Sequence, residues 1–262
     1  MSRRKLGPLT VLSVVREVRR GTGDERPLSV AGARELVPVL ARELREGGDP
    51  SAVVEGRLED VAVVVWVGAP DEAALRAADR ADVPVVAVAD ADADQLPYVL
   101  ATDVVHVPAG QGFPVEQIAA AIARRLGEDG TALAARLPVL RPAVCEQLIK
   151  SFSRRNGIIS AAVFIPGVDM PLLTLNQIRL VLRIALAHGE EVDGQRAFEL
   201  LGVVGIGFAL RAAARELLDL IPVAGWAIKG AVAYSGTMAV GEAAVRYFDA
   251  RTSGDGAVRP RT

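Results

Sequence analysis

The stretch VAVVVWVGAPDEAALRAADRADVPVVAVA, from Val61 to Ala89, decides the fold of the first half of the chain. Its two ends, Val61–Val67 and Val83–Ala89, are apolar at nearly every position, which is typical of strands buried in a parallel sheet. The segment between them begins at Pro70 and carries acidic residues in its first turn, where the helix dipole favours them. A strand, a helix and a second strand predict one unit of a parallel α/β sheet.

The same pattern continues towards the middle of the chain. DVVHVPA, Asp103–Ala109, predicts a third buried strand. FPVEQIAAAIARRLG then predicts a helix, with Pro114 near its start and Gly127 as its stop. Three apolar strands with helices between and after them favour a small parallel, Rossmann-like α/β domain. The same segments also resemble part of a G domain, which implies a degenerate G-domain type as the alternative.

An earlier helix is expected to cover this sheet. The segment VAGARELVPVLARELREGG, Val30–Gly48, has a helical pattern, and Pro38 either kinks that helix or marks its true start. We therefore predict a basic amphipathic segment at 1–24 and an α/β domain at 25–130.

The second half has almost no strand signal. Apolar residues make up 51% of the chain while aromatic residues make up only 4%, and the mean hydropathy is +0.30. Together with the missing strand signal, the apolar helical segments after about Leu137 predict an all-α, apolar helical domain over 137–250, followed by a disordered tail at 251–262.

Within the helical domain, FIPGVDMPLLTLNQIRLVLRIALAHG places Asp169 between Pro166 and Pro171. The two prolines predict a sharp connection between two apolar helices, which gives a helical hairpin rather than one long span. Thr174 and Gln177 have the spacing of a capping box at the start of the second helix.

None of the apolar segments is a simple membrane span, which needs about 20 apolar residues with few charges. Asp169 interrupts the first, Arg211 and Arg215 limit the second, and Lys229 and Glu242 punctuate the third. Insertion as a packed hairpin, or contact with the membrane surface, remains open on this pattern.

A stripe of small residues marks the last apolar segment at every fourth position. Such a stripe lets two helix backbones approach closely, either in a membrane pair or inside a soluble bundle. The stripe consists of Ala227, Ala231, Ser235, Ala239 and Ala243.

Charge and cysteine content exclude several classes of function. The net charge is −2, and basic and aromatic residues do not interleave, so we expect no nucleic-acid binding. The single Cys145 excludes an intrachain disulfide. The N-terminus has no signal-peptide pattern; its basic amphipathic helix is expected either to dock on anionic lipid or to be a solvated arm.

The segment Leu137–Phe248 resembles the YcjF-like, GTPase-associated domain of unknown function found in bacterial inner-membrane proteins. The resemblance is carried by separate motifs in order: Ile165–Pro171 with Gln177, His188-Gly189, Ile221-Pro222 with Gly225, Ala233-Tyr234 with Gly236-Thr237, and Gly241 ahead of Tyr247-Phe248. It implies a helical, membrane-associated domain without established chemistry and a separate GTPase as partner.

The first half is similar to the last strands and final helix of an Era-like GTPase domain. It departs from that family where nucleotides bind: no GxxxxGK[ST] loop is present, and Val88-Ala89-Asp90-Ala91 stands where the family has Asn-Lys-x-Asp. We therefore expect no GTP hydrolysis and no cofactor.

The predicted sheet offers weak candidate binding residues at its carboxyl edge, where α/β proteins bind ligands. These are Gly68, Asp90, Gly110 and Gly112. Asp90, Asp92 and Asp94 alternate like the start of a calcium loop, but Gln95 replaces the required glycine. A solvated loop and an ordinary turn are the alternative interpretations, and His106 is expected in the core.

In the helical domain, Asp169, Gln177 and Lys229 are polar residues among apolar neighbours, so we expect them to form internal hydrogen bonds. Ala231 and Ser235 are expected to pack at a helix pair. No catalytic set can be assembled.

The leading hypothesis is a non-enzymatic, membrane-associated interaction or regulatory protein, located at the cytoplasmic face of a bacterial-type inner membrane or in the cytoplasm. It would form homo- or hetero-oligomers through the helical domain and act with a GTPase. The alternative is a soluble small-molecule sensor that uses the α/β crevice.

Overall fold

The structure is a computed structural model that describes residues 8–90, 96–108, 110–162, 170–193 and 226–256. The chain divides into two compact units, Gly23–Gln147 and Met1–Thr22 with Leu148–Thr262. In chain order the elements are α1 (Pro8–Gly21), β1 (Leu28–Gly32), α2 (Val37–Leu44), β2 (Val53–Glu55), β3 (Val63–Val67), α3 (Glu72–Arg80), β4 (Val85–Asp90), β5 (Val104–Val107), α4 (Val115–Leu126), α5 (Gly130–Arg136), α6 (Arg141–Ala162), α7 (Met170–Ala187) and α8 (Trp226–Gly256).

The first unit contains a five-stranded parallel sheet in the order β2-β1-β3-β4-β5. This confirms the predicted fold class, an α/β domain followed by a helical region. The order is that of flavodoxin-type doubly wound sheets, in which the chain reverses direction across the sheet at the boundary between β1 and β3. One face of the sheet, through Val64 and Trp66, packs against Leu75 and Ala78 of α3.

The sequence pattern did not predict two of the five strands, β1 and β2. The predicted helix began at Val30. In the structure, Val30 belongs instead to strand β1, Leu28–Gly32, which pairs with β3 over its whole length. The helix starts at Val37 with Pro38 in its first turn, so Pro38 marks a true start rather than a kink. β2 has only three residues, too few for a periodic signal.

An arginine near the end of the α/β unit connects three distant parts of the chain. Arg136 Nε lies 3.0 Å from Asp49 Oδ2, its Nη1 donates to Glu25 O at 2.7 Å, and its Nη2 donates to Ser51 Oγ at 3.1 Å. The Ser51 hydroxyl and N–H, followed by Arg136, hold the pKa of the Asp49 carboxyl below its usual range.

The Asp49 contacts predict how stability depends on acid. A carboxyl whose pKa falls on folding stabilises the protein above its unfolded-state pKa, and this contribution is lost as the pH falls through the folded-state pKa. Asp49→Asn should therefore flatten the acid limb of a melting-temperature profile taken from about pH 6 to about pH 2. Asp79→Asn on the exposed side of α3 controls for the lost charge. An unchanged slope in Asp49→Asn would contradict the assignment.

Four described helices form the helical unit. Contacts pair 156 with 176, 156 with 237 and 149 with 241, so α6 (from Leu148 onward) runs antiparallel to α7 and α8. Residues 17 and 21 contact 179 and 183, so α1 runs parallel to α7. Residues 177 and 180 contact 237 and 241, so α7 runs parallel to α8, and α6 is antiparallel to all three. α7 is buried on most of its surface because α1 and α8 both pack against it.

The N-terminal helix belongs to this unit. The apolar side chains Val11, Val14, Val15 and Val18 are buried, and Arg179 of α7 binds Glu17 through two hydrogen bonds of 3.1 and 2.8 Å. The expectation of a solvated arm is therefore wrong for Pro8–Gly21, because most of its apolar face packs on protein, while contact with lipid stays a prediction. Of that face, Leu9 remains exposed.

Among the described residues, no helix combines the length and apolar character needed to cross a membrane.

Candidate functional site

A crevice lies at the carboxyl ends of β3, β4 and β5, beside the point where the strand order reverses. Val67 and Val88 are register partners on neighbouring strands, and both line it. α2, which follows β1, contributes Val39 to the lining, and Leu36, the residue just before α2, contributes to it as well. In doubly wound sheets this is the place where ligands bind.

The crevice has a volume of about 310 Å³, at the small end of the range for ligand pockets. It brings together all four residues predicted as weak binding candidates, Gly68, Asp90, Gly110 and Gly112. Its lining consists of Leu36, Val39, Glu43, Val67, Gly68, Val88, Ala89, Asp90, Val107, Pro108, Gly110, Gln111, Gly112 and Phe113.

Glycines allow the backbone to turn tightly at the floor of this crevice. Gly68 has a φ of +92°, and a Cβ there would lie 2.9 Å from the Cβ of Ala33. Gly32 has a φ of +120°, and the next N–H, that of Ala33, donates to Val67 O at 2.8 Å. The two strand ends on either side of the reversal point are thus held at close approach.

The polar groups in the lining are carboxylates and an amide. Asp90 is exposed, Glu43 is half-buried, and Gln111 adds an amide. Lys, Arg and His are all missing from the described lining. The crevice therefore combines apolar walls with a negative polar edge.

His106 lies next to this edge but not in the core. It is exposed on β5, and its Nδ1 is 3.2 Å from Asp90 O, so Nδ1 carries the proton and donates to that carbonyl. The expectation of a core histidine was wrong because β5 is the outer strand of the sheet. An outer strand leaves one side of its residues unpacked.

Several predicted residues fall outside the described parts of the chain. Asp92 and Asp94 lie within 91–95, and Asp169 lies within 163–169. In the ranges that the structure does describe, no three side chains of His, Cys, Asp or Glu are grouped so that they could hold a metal ion.

In the helical unit, a buried polar cluster joins α6, α7 and α8. Asn156 Nδ2 donates to Thr237 Oγ1 at 2.9 Å, Asn176 Nδ2 donates to Asn156 Oδ1 at 2.8 Å, and Gln177 Nε2 donates to Thr237 Oγ1 at 3.2 Å. All four residues are buried. Buried polar groups require such partners, and the cluster fixes the relative register of the three helices.

Gln177 therefore hydrogen-bonds inside the helical unit, but not as part of a capping box. α7 begins at Met170, so Thr174 already lies within the helix, and the Gln177 amide bonds to α8 instead of a helix start. Asn156, Asn176 and Thr237 were missed. The spacing of Ser153, Asn156 and Ser160 on one helical face was the available signal.

The last helix differs from its predicted packing. Lys229, Ala231 and Ser235 are exposed, so the Lys229 side chain is not the internal polar group that the sequence suggested. Tight packing involves a neighbouring stripe of the same helix: a Cβ on Gly230 would lie 3.0 Å from Gly157 O, and one on Gly241 would lie 2.5 Å from Ile149 Cγ1. Small residues do mediate close helix contact, but on a face rotated from the predicted one.

In comparisons with known proteins, no family model, no curated protein and no solved structure matches this chain. The similarities to YcjF-like and Era-like domains therefore stay predictions.

Proposed function

We propose that the protein is a non-enzymatic sensor that binds a small molecule in the crevice of its α/β unit. The observation that carries the proposal is the 310 Å³ crevice at the carboxyl edge of the sheet, beside the reversal of strand order. Ligand sites in open α/β sheets occur there because the loops after neighbouring strands diverge and leave a gap.

The composition of the crevice supports binding. Apolar side chains of Leu36, Val39 and Phe113 provide surface that a ligand would cover, and a few polar groups would orient it. Leu36 and Val39 remain more than a third exposed, which leaves apolar surface for a ligand to bury.

Filling the crevice should abolish binding. In Val39→Trp an indole ring would occupy the space between α2 and the strand ends. We expect mass spectrometry of the denatured, purified wild type to detect a retained small molecule, and at least tenfold less of it in the variant. Leu100→Trp, on an exposed position outside the crevice, controls for the added ring. No retained molecule in the wild type, or equal amounts in both variants, would contradict the proposal.

A second candidate function is the membrane-associated interaction or regulatory protein, acting with a GTPase, that the sequence suggests. One observation favours it: Ile158, Ile228 and Tyr234 are exposed where α6 crosses α8. Large exposed apolar side chains that lie close together are a feature of interaction surfaces.

This candidate predicts that the apolar surface of α8 contributes to membrane or partner association. Ile228→Ser should reduce several-fold the fraction of full-length protein that sediments with membranes from broken cells. Leu100→Ser, with 58% exposure against 53% for Ile228, is the matched control in the α/β unit. Equal sedimentation of the two variants, or no wild-type protein in the membrane pellet, would remove this candidate.

A further inference from the structure

The proposed crevice has a charge pattern that selects among ligand classes. Its described lining contributes two carboxylates, Glu43 and Asp90, and no basic side chain. A phosphate or carboxylate ligand would therefore enter a site of its own sign without a cation to neutralise it.

The helix that begins next to the crevice does not compensate for this. A helix N-terminus can bind an anion through its free N–H groups. In α4, Val115 N donates to Phe113 O at 2.9 Å, and Gln117 N donates to Pro114 O at 2.9 Å. Pro114 has no N–H, and Glu116 already places a carboxylate in the first turn. These groups leave this N-terminus poorly suited to an anion.

The walls of the crevice require an apolar body in the ligand. Leu36, Val39 and Phe113 expose apolar surface in the lining, and the buried side chains of Val67 and Val88 line it too. A small hydrated metal ion would leave this surface uncovered, and a sugar would cover it with hydroxyl groups.

We infer that the crevice binds a small organic cation, an amine with an apolar body, whose charged nitrogen meets the carboxylates of Asp90 and Glu43. The inference rests on the proposed sensor function and names its ligand class. The apolar body supplies most of the affinity, and the carboxylates supply the selectivity for positive charge.

Three probes that share one body test the charge requirement: 2-phenylethylamine, 3-phenylpropanoate and 2-phenylethyl phosphate. Titration calorimetry with the full chain is expected to show binding of the amine at least tenfold tighter than either anion. Asp90→Asn and Glu43→Gln should each weaken amine binding by about tenfold, as expected for loss of a charge-assisted hydrogen bond. Asp79→Asn, with its carboxylate on the exposed side of α3, should leave it unchanged.

The outcomes separate this inference from the sensor function. Tighter binding of either anion, or a retained molecule with an acidic group, would overturn the cation assignment and leave the sensor function standing. Equal binding of all three probes, insensitive to Asp90→Asn, would also overturn it. Failure of all three probes together with no retained molecule would remove both proposals.

Discussion

Phe248→Ala is expected to lower the free energy of unfolding of the helical unit by about 4 kcal/mol. Phe248 is only 1% exposed, near the end of α8. Its ring centroid lies 5.5 Å from that of His188 and 5.1 Å from that of Tyr247. Removal of the ring would leave a cavity between the ends of α7 and α8, which costs free energy because the packed neighbours can collapse into it only in part.

The neighbouring histidine makes that cavity costly. His188 is buried; its Nδ1 donates to Ile184 O at 2.8 Å, and its Nε2 lies 3.1 Å from Asp249 Oδ1. The imidazole could rotate into the space that Phe248 leaves only by breaking the Nδ1–H hydrogen bond to Ile184 O.

Urea unfolding of the full chain, followed by far-UV circular dichroism, measures the effect. Ile228→Ala on the same helix is the control, because Ile228 is 53% exposed and its truncation should cost less than about 1 kcal/mol. Similar losses in the two variants would show that α8 is not packed as the structure has it.

Gly32→Ala is expected to destabilise the α/β unit by about 3 kcal/mol, through backbone strain and a steric clash together. Its φ of +120° lies in a region that residues with a Cβ rarely adopt, and the new Cβ would lie 2.2 Å from Val67 O. The clashing atom is a backbone carbonyl that already accepts from Ala33 N, so neither strand end can shift without breaking that bond.

Gly112→Ala is the control for this substitution. Gly112 also lies at the crevice, but no atom lies within 4 Å of a Cβ built there. Thermal unfolding of both variants should show a large loss for Gly32→Ala and little change for Gly112→Ala. If Gly32→Ala were tolerated, the close approach of β1 and β3 would be wrong. Mass spectrometry of the small molecule retained by Gly112→Ala would show whether ligand binding tolerates a methyl group at that edge of the crevice.

The class of the fold and several element boundaries follow from local pattern. The runs around Val63–Val67 and Val85–Asp90 are apolar because both faces of these strands are covered, and that covering makes them recognisable. Asp71 caps α3 by accepting from Ala73 N and Ala74 N, a signal contained within four residues. Gly127 ends α4 because it adopts a φ of 56°, a conformation that glycine favours.

The candidate crevice was predicted in part. Four lining residues were predicted because the loops that follow strand ends line the carboxyl edge of a parallel sheet, and strand ends can be recognised in the sequence. These are Gly68, Asp90, Gly110 and Gly112. The second wall, formed by Leu36 and Val39, was not found, because it depends on β1, whose apolar run overlaps a helical pattern.

The sequence by itself determined that this protein has a parallel α/β unit and an apolar helical unit, because both follow from periodicity and composition. Only the tertiary structure decided which face of each helix is buried. The sequence does not distinguish between two stripes of small residues on α8 as the packing face. One contains Ala231 and Ser235, and the other contains Gly230, Thr237 and Gly241. The choice between them depends on Asn156 and Gln177, which lie 81 and 60 residues before Thr237 along the chain and donate the hydrogen bonds that orient α8.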